Sequence, residues 1–174
     1  MKRKLITIDF ETAYSKEYSL SKMTTEEYVR SPKFEVIGLA IKVNDEPTEW
    51  ASGTHGGIQG WLDQLDIENS IVLAHNTMFD GFILSEIFGI HAYAYFDTMS
   101  MAKALHGPDV RASLAALAEK YNIGQKGTEV HNALGKWRKD FTKDELEIYG
   151  DYCINDVELT YTLFNKMLKS GFPK

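Results

Sequence analysis

Ile6, Ile8 and Phe10 alternate with Thr7, Asp9 and Glu11 near the start of the chain. That period of two predicts a strand over residues 4–11. An apolar run from Phe34 to Val43 reads as a second, largely buried strand. A short third strand over 46–51 would close a hairpin across Asn44 and Asp45. Gly56 and Gly57 then precede a short helix at about 58–65. The brief apolar strand 71–74 leads into an amphipathic helix over 77–88, stopped by Gly89. Residues 93–96 suit another strand and 97–105 another helix. In a helix over 111–121, Leu114, Leu117, Ala118 and Tyr121 share one face. Residues 124–138 are glycine-rich, basic and only weakly periodic. Thr142 and Glu145 then form a capping box opening a last helix that can reach Lys169. An antiparallel hairpin followed by strands alternating with helices predicts an α/β fold, a mixed β-sheet flanked by α-helices. No repeat or low-complexity tract divides the 174 residues, so one domain over 1–174 is expected.

Composition narrows the setting. With 44% hydrophobic and 25% charged residues and 4 prolines, the chain has the make-up of a soluble globular protein. No apolar run approaches the roughly 20 residues needed to cross a bilayer. The basic opening Met1-Lys2-Arg3-Lys4 is followed by Asp9 and Glu11 rather than by a hydrophobic signal segment. A single cysteine, Cys153, excludes an intrachain disulfide and suits a reducing compartment, so a cytoplasmic location is expected. The net charge of −6 argues at first against a nucleic-acid partner. If four of the carboxylates hold two divalent ions, the loaded protein carries about −2 and the site itself is near neutral. Modest, metal-dependent and salt-sensitive affinity for nucleic acid is then allowed.

The carboxylates change the picture most. Asp9 and Glu11, two apart on one strand, point the same way, and like charges held side by side repel and resist desolvation. A fold that keeps them together usually places a cation between them, and oxygen-only ligands suit a hard ion such as magnesium or manganese. Two solvated acids at an exposed strand end would fit the same residues. A second motif is His75-Asn76-Thr77-Met78-Phe79-Asp80, where strand passes into helix and the helix dipole favours a carboxylate. A third is Tyr152-Cys153-Ile154-Asn155-Asp156, which puts Tyr152 and Asp156 one turn apart on the last helix.

Asp9-x-Glu11, Asn76-x-x-x-Asp80 and Tyr152-x-x-x-Asp156, in this order, resemble the three motifs of the DEDD 3′–5′ exonuclease superfamily. The resemblance covers essentially the whole chain. It is to the tyrosine-bearing (DEDDy) branch, the proofreading exonuclease domains of family A and B DNA polymerases, including bacteriophage-type ones. In the histidine-bearing branch a His stands five residues before the last Asp; here Asp151 stands there, and neither His75 nor His131 is expected to act as a general base. The resemblance implies a ribonuclease H-like fold and a two-metal hydrolysis with Mg2+ or Mn2+. Asp9 would bridge both ions, Glu11 and Asp156 would complete one site, and Asp80 would hold the second ion. Tyr152, with an ordinary pKa near 10, is a poor base and would orient the attacking water. Thr12, Asn76 and Phe79 match positions that touch the terminal nucleotides in related domains, although a core packing role suits Phe79 equally. His75 resembles a position that contacts the substrate strand in some relatives, and a structural role suits it equally. Lys136 and Arg138 belong to a basic stretch, from Lys126 to Lys143, read either as a phosphate-contacting flap or as a solvated surface. The expected substrate is the 3′ end of single-stranded or frayed DNA, cut to nucleoside 5′-monophosphates in proofreading or end trimming. A DNA polymerase domain or subunit is the expected partner and, for a phage protein, the host cytoplasm the setting. An exoribonuclease of the same superfamily is the alternative. A non-catalytic nucleic-acid or polymerase-binding domain is disfavoured, because all four acids and the tyrosine are present.

Overall fold

The computed structural model describes residues 3–127 and 133–172. His131 lies outside them. In chain order the elements are β1 (Leu5–Thr12), α1 (Thr25–Val29), β2 (Val36–Val43), β3 (Glu49–Ala51), α2 (His55–Leu62), β4 (Ile71–Ala74), α3 (Thr77–Phe88), β5 (Ala94–Asp97), α4 (Thr98–His106), α5 (Leu114–Tyr121) and α6 (Lys143–Lys169). The strands make one sheet in the order β3-β2-β1-β4-β5. β1, β2 and β3 pair antiparallel, while β1–β4 and β4–β5 are parallel. This is the mixed sheet that the element order predicts.

β1 is central and covered on both faces. Ile6, Ile8 and Phe10 enter a core with Tyr28 of α1, Ile58 of α2 and Ile83 and Leu84 of α3. Thr7, Asp9 and Glu11 therefore face the other side, where α6 crosses the sheet. Leu159, Leu163 and Met167 of α6 pack there with Met101 of α4 and Leu114 and Leu117 of α5. The alternation that marks β1 as a strand thus also aims both carboxylates at α6.

Several boundaries move for local reasons. α2 begins at His55 because Thr54 caps it, its Oγ1 accepting from the Gly57 amide at 3.3 Å. The two glycines lie inside the first turn rather than before it. α5 begins at Leu114 because Ser113 is its cap. α1 is unanticipated: five residues are too few to show a period, although Thr24 and Glu27 form a capping box. α3 ends at Gly89, whose φ of 67° places it in the left-handed region. α6 opens on the expected reciprocal pair, with the Thr142 amide donating to Glu145 at 2.9 Å and the Glu145 amide to Thr142 Oγ1 at 3.2 Å.

Two glycines let α6 lie close to the sheet. The Trp50 ring of β3 sits against Gly38 of β2 and Gly150 of α6, and a Cβ at those positions would come within 2.2 and 2.5 Å of it. Gly150→Ala is expected to lower stability by about 1–3 kcal/mol through overpacking, read as a fall in the denaturant midpoint. An unchanged midpoint would mean that the ring can move aside. Among the described residues no helix is long and apolar enough to cross a membrane.

Candidate active site

Asp9 and Glu11 come from β1, Asp80 from the first turn of α3, and Tyr152 and Asp156 from α6. Glu11, Asp80, Tyr152 and Asp156 are buried, with relative exposures of 9%, 2%, 6% and 3%; Asp9 is half-buried. An exposed strand end with solvated acids is excluded.

Backbone geometry brings Asp80 in. Pairing of β1 with β4 runs from Leu5 to Thr7, so the Phe10 amide lies beyond that ladder. Asp80 Oδ1 accepts from it at 3.0 Å, which seats the carboxylate beside the residue between Asp9 and Glu11. The turn before α3 makes this reach feasible. Asn76 is left-handed, with φ 70°, and its amide donates to Asp97 Oδ1 at 2.8 Å. Asp97 also caps α4, accepting from the Met99 amide at 3.0 Å and from Ser100 Oγ at 2.6 Å.

α6 supplies the opposite wall. Tyr149, Tyr152, Cys153 and Asp156 are all buried and recur at i, i+3, i+4 and i+7, one stripe of the helix. Tyr149 donates its hydroxyl to Glu11 Oε2 at 2.5 Å. Cys153 Sγ donates to the Asp9 carbonyl at 3.3 Å and approaches Asp9 Oδ2 at 3.5 Å. From the chain after α5, Lys126 forms an ion pair with Asp156, its Nζ lying 5.1 Å from the Tyr152 ring centre.

Electrostatics reflect this crowding. Burial, then the charge of Asp156, pushes Asp9 up to about 7, against the opposing pull of Lys126 and the Cys153 thiol. Glu11 is held well above the usual carboxylate range by burial and by Asp9, partly offset by the Tyr149 hydrogen bond. Burial and Asp9 raise Asp80 as well. Burial works against the charge on Lys126, yet Asp156 and Tyr152 hold its ammonium form above the lysine range. Burial, then Asp156, raises Tyr152 above the phenol range, so it stays a donor at neutral pH.

A divalent cation fits this donor set. Oxygens of Asp9 and Glu11 and the Cys153 sulfur all lie within 4.8 Å of one another, and carboxylates that burial and mutual charge hold high are those a hard cation would discharge. The sign of the pH dependence follows. The folded pKa of Asp9 lies above its ordinary 3.8, so between about pH 4 and 7 the folded state binds more protons than the unfolded one, and metal-free stability falls as pH rises through that window. Glu11 and Asp80 act in the same direction. Thermal melts in chelator are expected to show a higher Tm at pH 5 than at pH 8, with added Mg2+ stabilising more at pH 8. The opposite order would contradict the crowding.

The remaining residues singled out from sequence fall in three places. Thr12 and Phe79 line a cleft of about 350 Å³ beside Glu11, together with Phe10, Tyr14, Leu20, Tyr28 and Tyr149. Tyr28 donates to the Ala13 carbonyl at 2.6 Å, so the Thr12 hydroxyl, 2.8 Å away, donates to Tyr28. Phe79 also packs against the core, as its alternative reading has it. His75 shares a 2.8 Å hydrogen bond with Thr98 through Nδ1, and burial lowers its pKa. Lys136 and Arg138 are not gathered with the acids. Lys136 pairs with Glu145 at 2.5 Å, and Arg138 lines a different cleft with Phe34, Glu35 and His55. Sequence reasoning gave no site role to Tyr149 or Cys153, although the α6 spacing that links Tyr152 to Asp156 extends to both. Lys126 was read only as the start of the basic stretch, and nothing in the sequence tied it to Asp156.

A mixed five-stranded sheet with carboxylates converging on its central strand defines a ribonuclease H-like nuclease. Residues 3–171 match the family model described as 3′–5′ exonuclease, and the chain belongs to that family. No curated protein matches it. Among solved structures, Brucella melitensis NrnC with bound Mg2+ is 16% identical with a TM-score of 0.68, covering 98% of this chain and 74% of that one. The family B DNA polymerase of the hyperthermophilic archaeon Pyrobaculum calidifontis, also 16% identical, has a TM-score of 0.66 over 97% of this chain and 25% of its own. Trypanosoma brucei RNase D in complex with RNA U12 is 13% identical, TM-score 0.67, over 94% of this chain and 55% of that one. At these identities the likeness is one of fold.

Proposed function

We propose that Asp9, Glu11, Asp80 and Asp156 hold two divalent cations, Mg2+ or Mn2+, and that the chain removes nucleotides from the 3′ end of single-stranded or frayed DNA as nucleoside 5′-monophosphates. The observation that carries this reading is the convergence of four acids from three elements, with Glu11, Asp80 and Asp156 buried and Asp9 half-buried beside them, a donor set that suits a cation pair. Bound there, the ions would supply the charge that steadies the attacking and leaving oxygens and would lower the pKa of water.

The chain's own residues do the rest. Asp9, whose Oδ2 lies beside Cys153 of α6, would bridge the pair; Glu11 and Asp156 would complete one site and Asp80 would hold the second ion. Tyr149 fixes the Glu11 carboxylate by its hydrogen bond. Tyr152 keeps its proton and would orient the attacking water by donating or accepting a hydrogen bond rather than by taking a proton. The cleft at Thr12 and Phe79 would receive the terminal nucleotide, its aromatic walls suiting a base stacked without regard to sequence, a contact worth roughly 1–3 kcal/mol. Lys126 stands where a cation would approach Asp156 and would face the phosphate once displaced. His75 and Asn76, at the turn before α3, would contact the substrate strand, and Lys136 and Arg138 would meet it farther out. Proofreading beside a polymerase domain or subunit, or trimming of DNA ends, would use such an activity.

RNA is the second reading, favoured by the likeness in fold to RNase D in complex with RNA U12. Oligonucleotides labelled at the 5′ end, DNA and RNA in parallel, with Mg2+ or with chelator, separate the two. A ladder shortening from the 3′ end of DNA, dependent on metal, is expected. Faster shortening of RNA would transfer the proposal to RNA, and binding without shortening in either metal would refute it.

A further inference from the structure

We propose that Asp9, Glu11 and Cys153 form a site for a thiophilic divalent ion of the zinc class, overlapping the magnesium site and blocking it. The proposal shares two ligands with the catalytic reading above but rests on the sulfur. Three donors from two elements converge here: one oxygen each from Asp9 and Glu11 on β1 and Sγ of Cys153 on α6, all within 4.8 Å of one another. Cys153 is fully buried, so its sulfur is fixed by packing and cannot swing to solvent. The closest pair is telling. Sγ lies 3.5 Å from Asp9 Oδ2, and a tetrahedral zinc with bonds of about 2.3 Å to sulfur and about 2.0 Å to oxygen spans about 3.5 Å between them. The two atoms therefore already stand at the bite that such an ion requires.

Softness decides which ion would hold the site. Magnesium takes oxygen ligands at octahedral geometry and gains nothing from sulfur, whereas zinc and cadmium favour thiolate. Binding would expel one proton from the thiol to solvent and commit the Asp9 oxygen that a bridging role needs. Magnesium-dependent turnover would then be inhibited competitively by the softer ion.

Cadmium titrated into the metal-free protein gives the test, because sulfur-to-cadmium charge transfer absorbs in the ultraviolet and Cys153 is the chain's one cysteine. One equivalent of Cd2+ is expected to raise that band, excess Mn2+ to suppress it, and Glu11→Gln to weaken cadmium affinity by at least about 10-fold. Cys153→Ser should abolish the band while circular dichroism confirms the fold. Cadmium binding to wild type without the band would overturn the proposal, as would a band that survives Cys153→Ser. A band indifferent to both Mn2+ and Glu11→Gln would mean that the thiol binds alone and would overturn it too. Failure of Mn2+ to bind at all, with the band intact, would instead count against the catalytic cation pair, so the two ideas fail separately.

Discussion

Asp9→Asn is expected to cut kcat/KM for a single-stranded substrate by at least about 1,000-fold, the scale of losing several kcal/mol of metal-borne charge stabilisation. The same change should make the metal-free protein more stable. Asp9 is raised to about 7 by burial and by Asp156, and its charge in turn raises Glu11 and Asp80. An isosteric amide removes that repulsion while keeping the shape of the site. At pH 8 the gain should be about 1–2 kcal/mol, or roughly 2–8 °C in Tm for a chain of this size. Activity assays and melts in chelator read both halves. Loss of activity together with loss of metal-free stability would mean that Asp9 is a structural acid rather than one held under strain for a cation.

Tyr152→Phe is expected to lower kcat by about 100-fold, the cost of a misplaced nucleophile, while leaving Mn2+ affinity nearly unchanged. The ring stays, so its packing against Tyr149, 6.1 Å between centres, and the contact from Lys126 are preserved. What goes is the hydroxyl, which burial and Asp156 keep protonated. Because that proton does not leave near neutrality, the pH dependence of kcat in the variant should keep the shape it has in wild type. An equal loss of turnover and of metal affinity would show that Tyr152 builds the site rather than orients water in it.

Much of this was legible in the sequence because local physics and tertiary structure agree. The alternation in β1 was enough to place Asp9 and Glu11 on one face, and that face is the one α6 covers. Gly89 and the Thr142–Glu145 pair set the ends of α3 and α6 by rules that need no tertiary context. The order of hairpin, then strand–helix alternation, gave the mixed sheet. What escaped had no periodic signature. α1 is too short, and α2 starts at a threonine cap that two glycines disguise. Lys126 reaches Asp156 from irregular chain, a contact 30 residues apart in sequence that only the packing of α5 on α6 creates. Tyr149 and Cys153 are a different case. Their spacing from Asp156 on α6 was visible, but the roles depend on what β1 presents opposite them, Glu11 to the one and Asp9 to the other. The basic stretch from Lys126 to Lys143 looked continuous in sequence, yet its described members separate, because Lys136 pairs with Glu145 and Arg138 lines another cleft, its backbone amide donating to Glu35.

Crystals soaked in Mn2+ and measured for anomalous scattering test the central claim most directly. Two peaks about 3.5–4 Å apart are expected, both touching carboxylate oxygens of Asp9, one also met by Glu11 and Asp156 and the other lying toward Asp80. Lys126 should have withdrawn from Asp156. No peak at this cluster, or manganese bound without Asp9, would contradict the account.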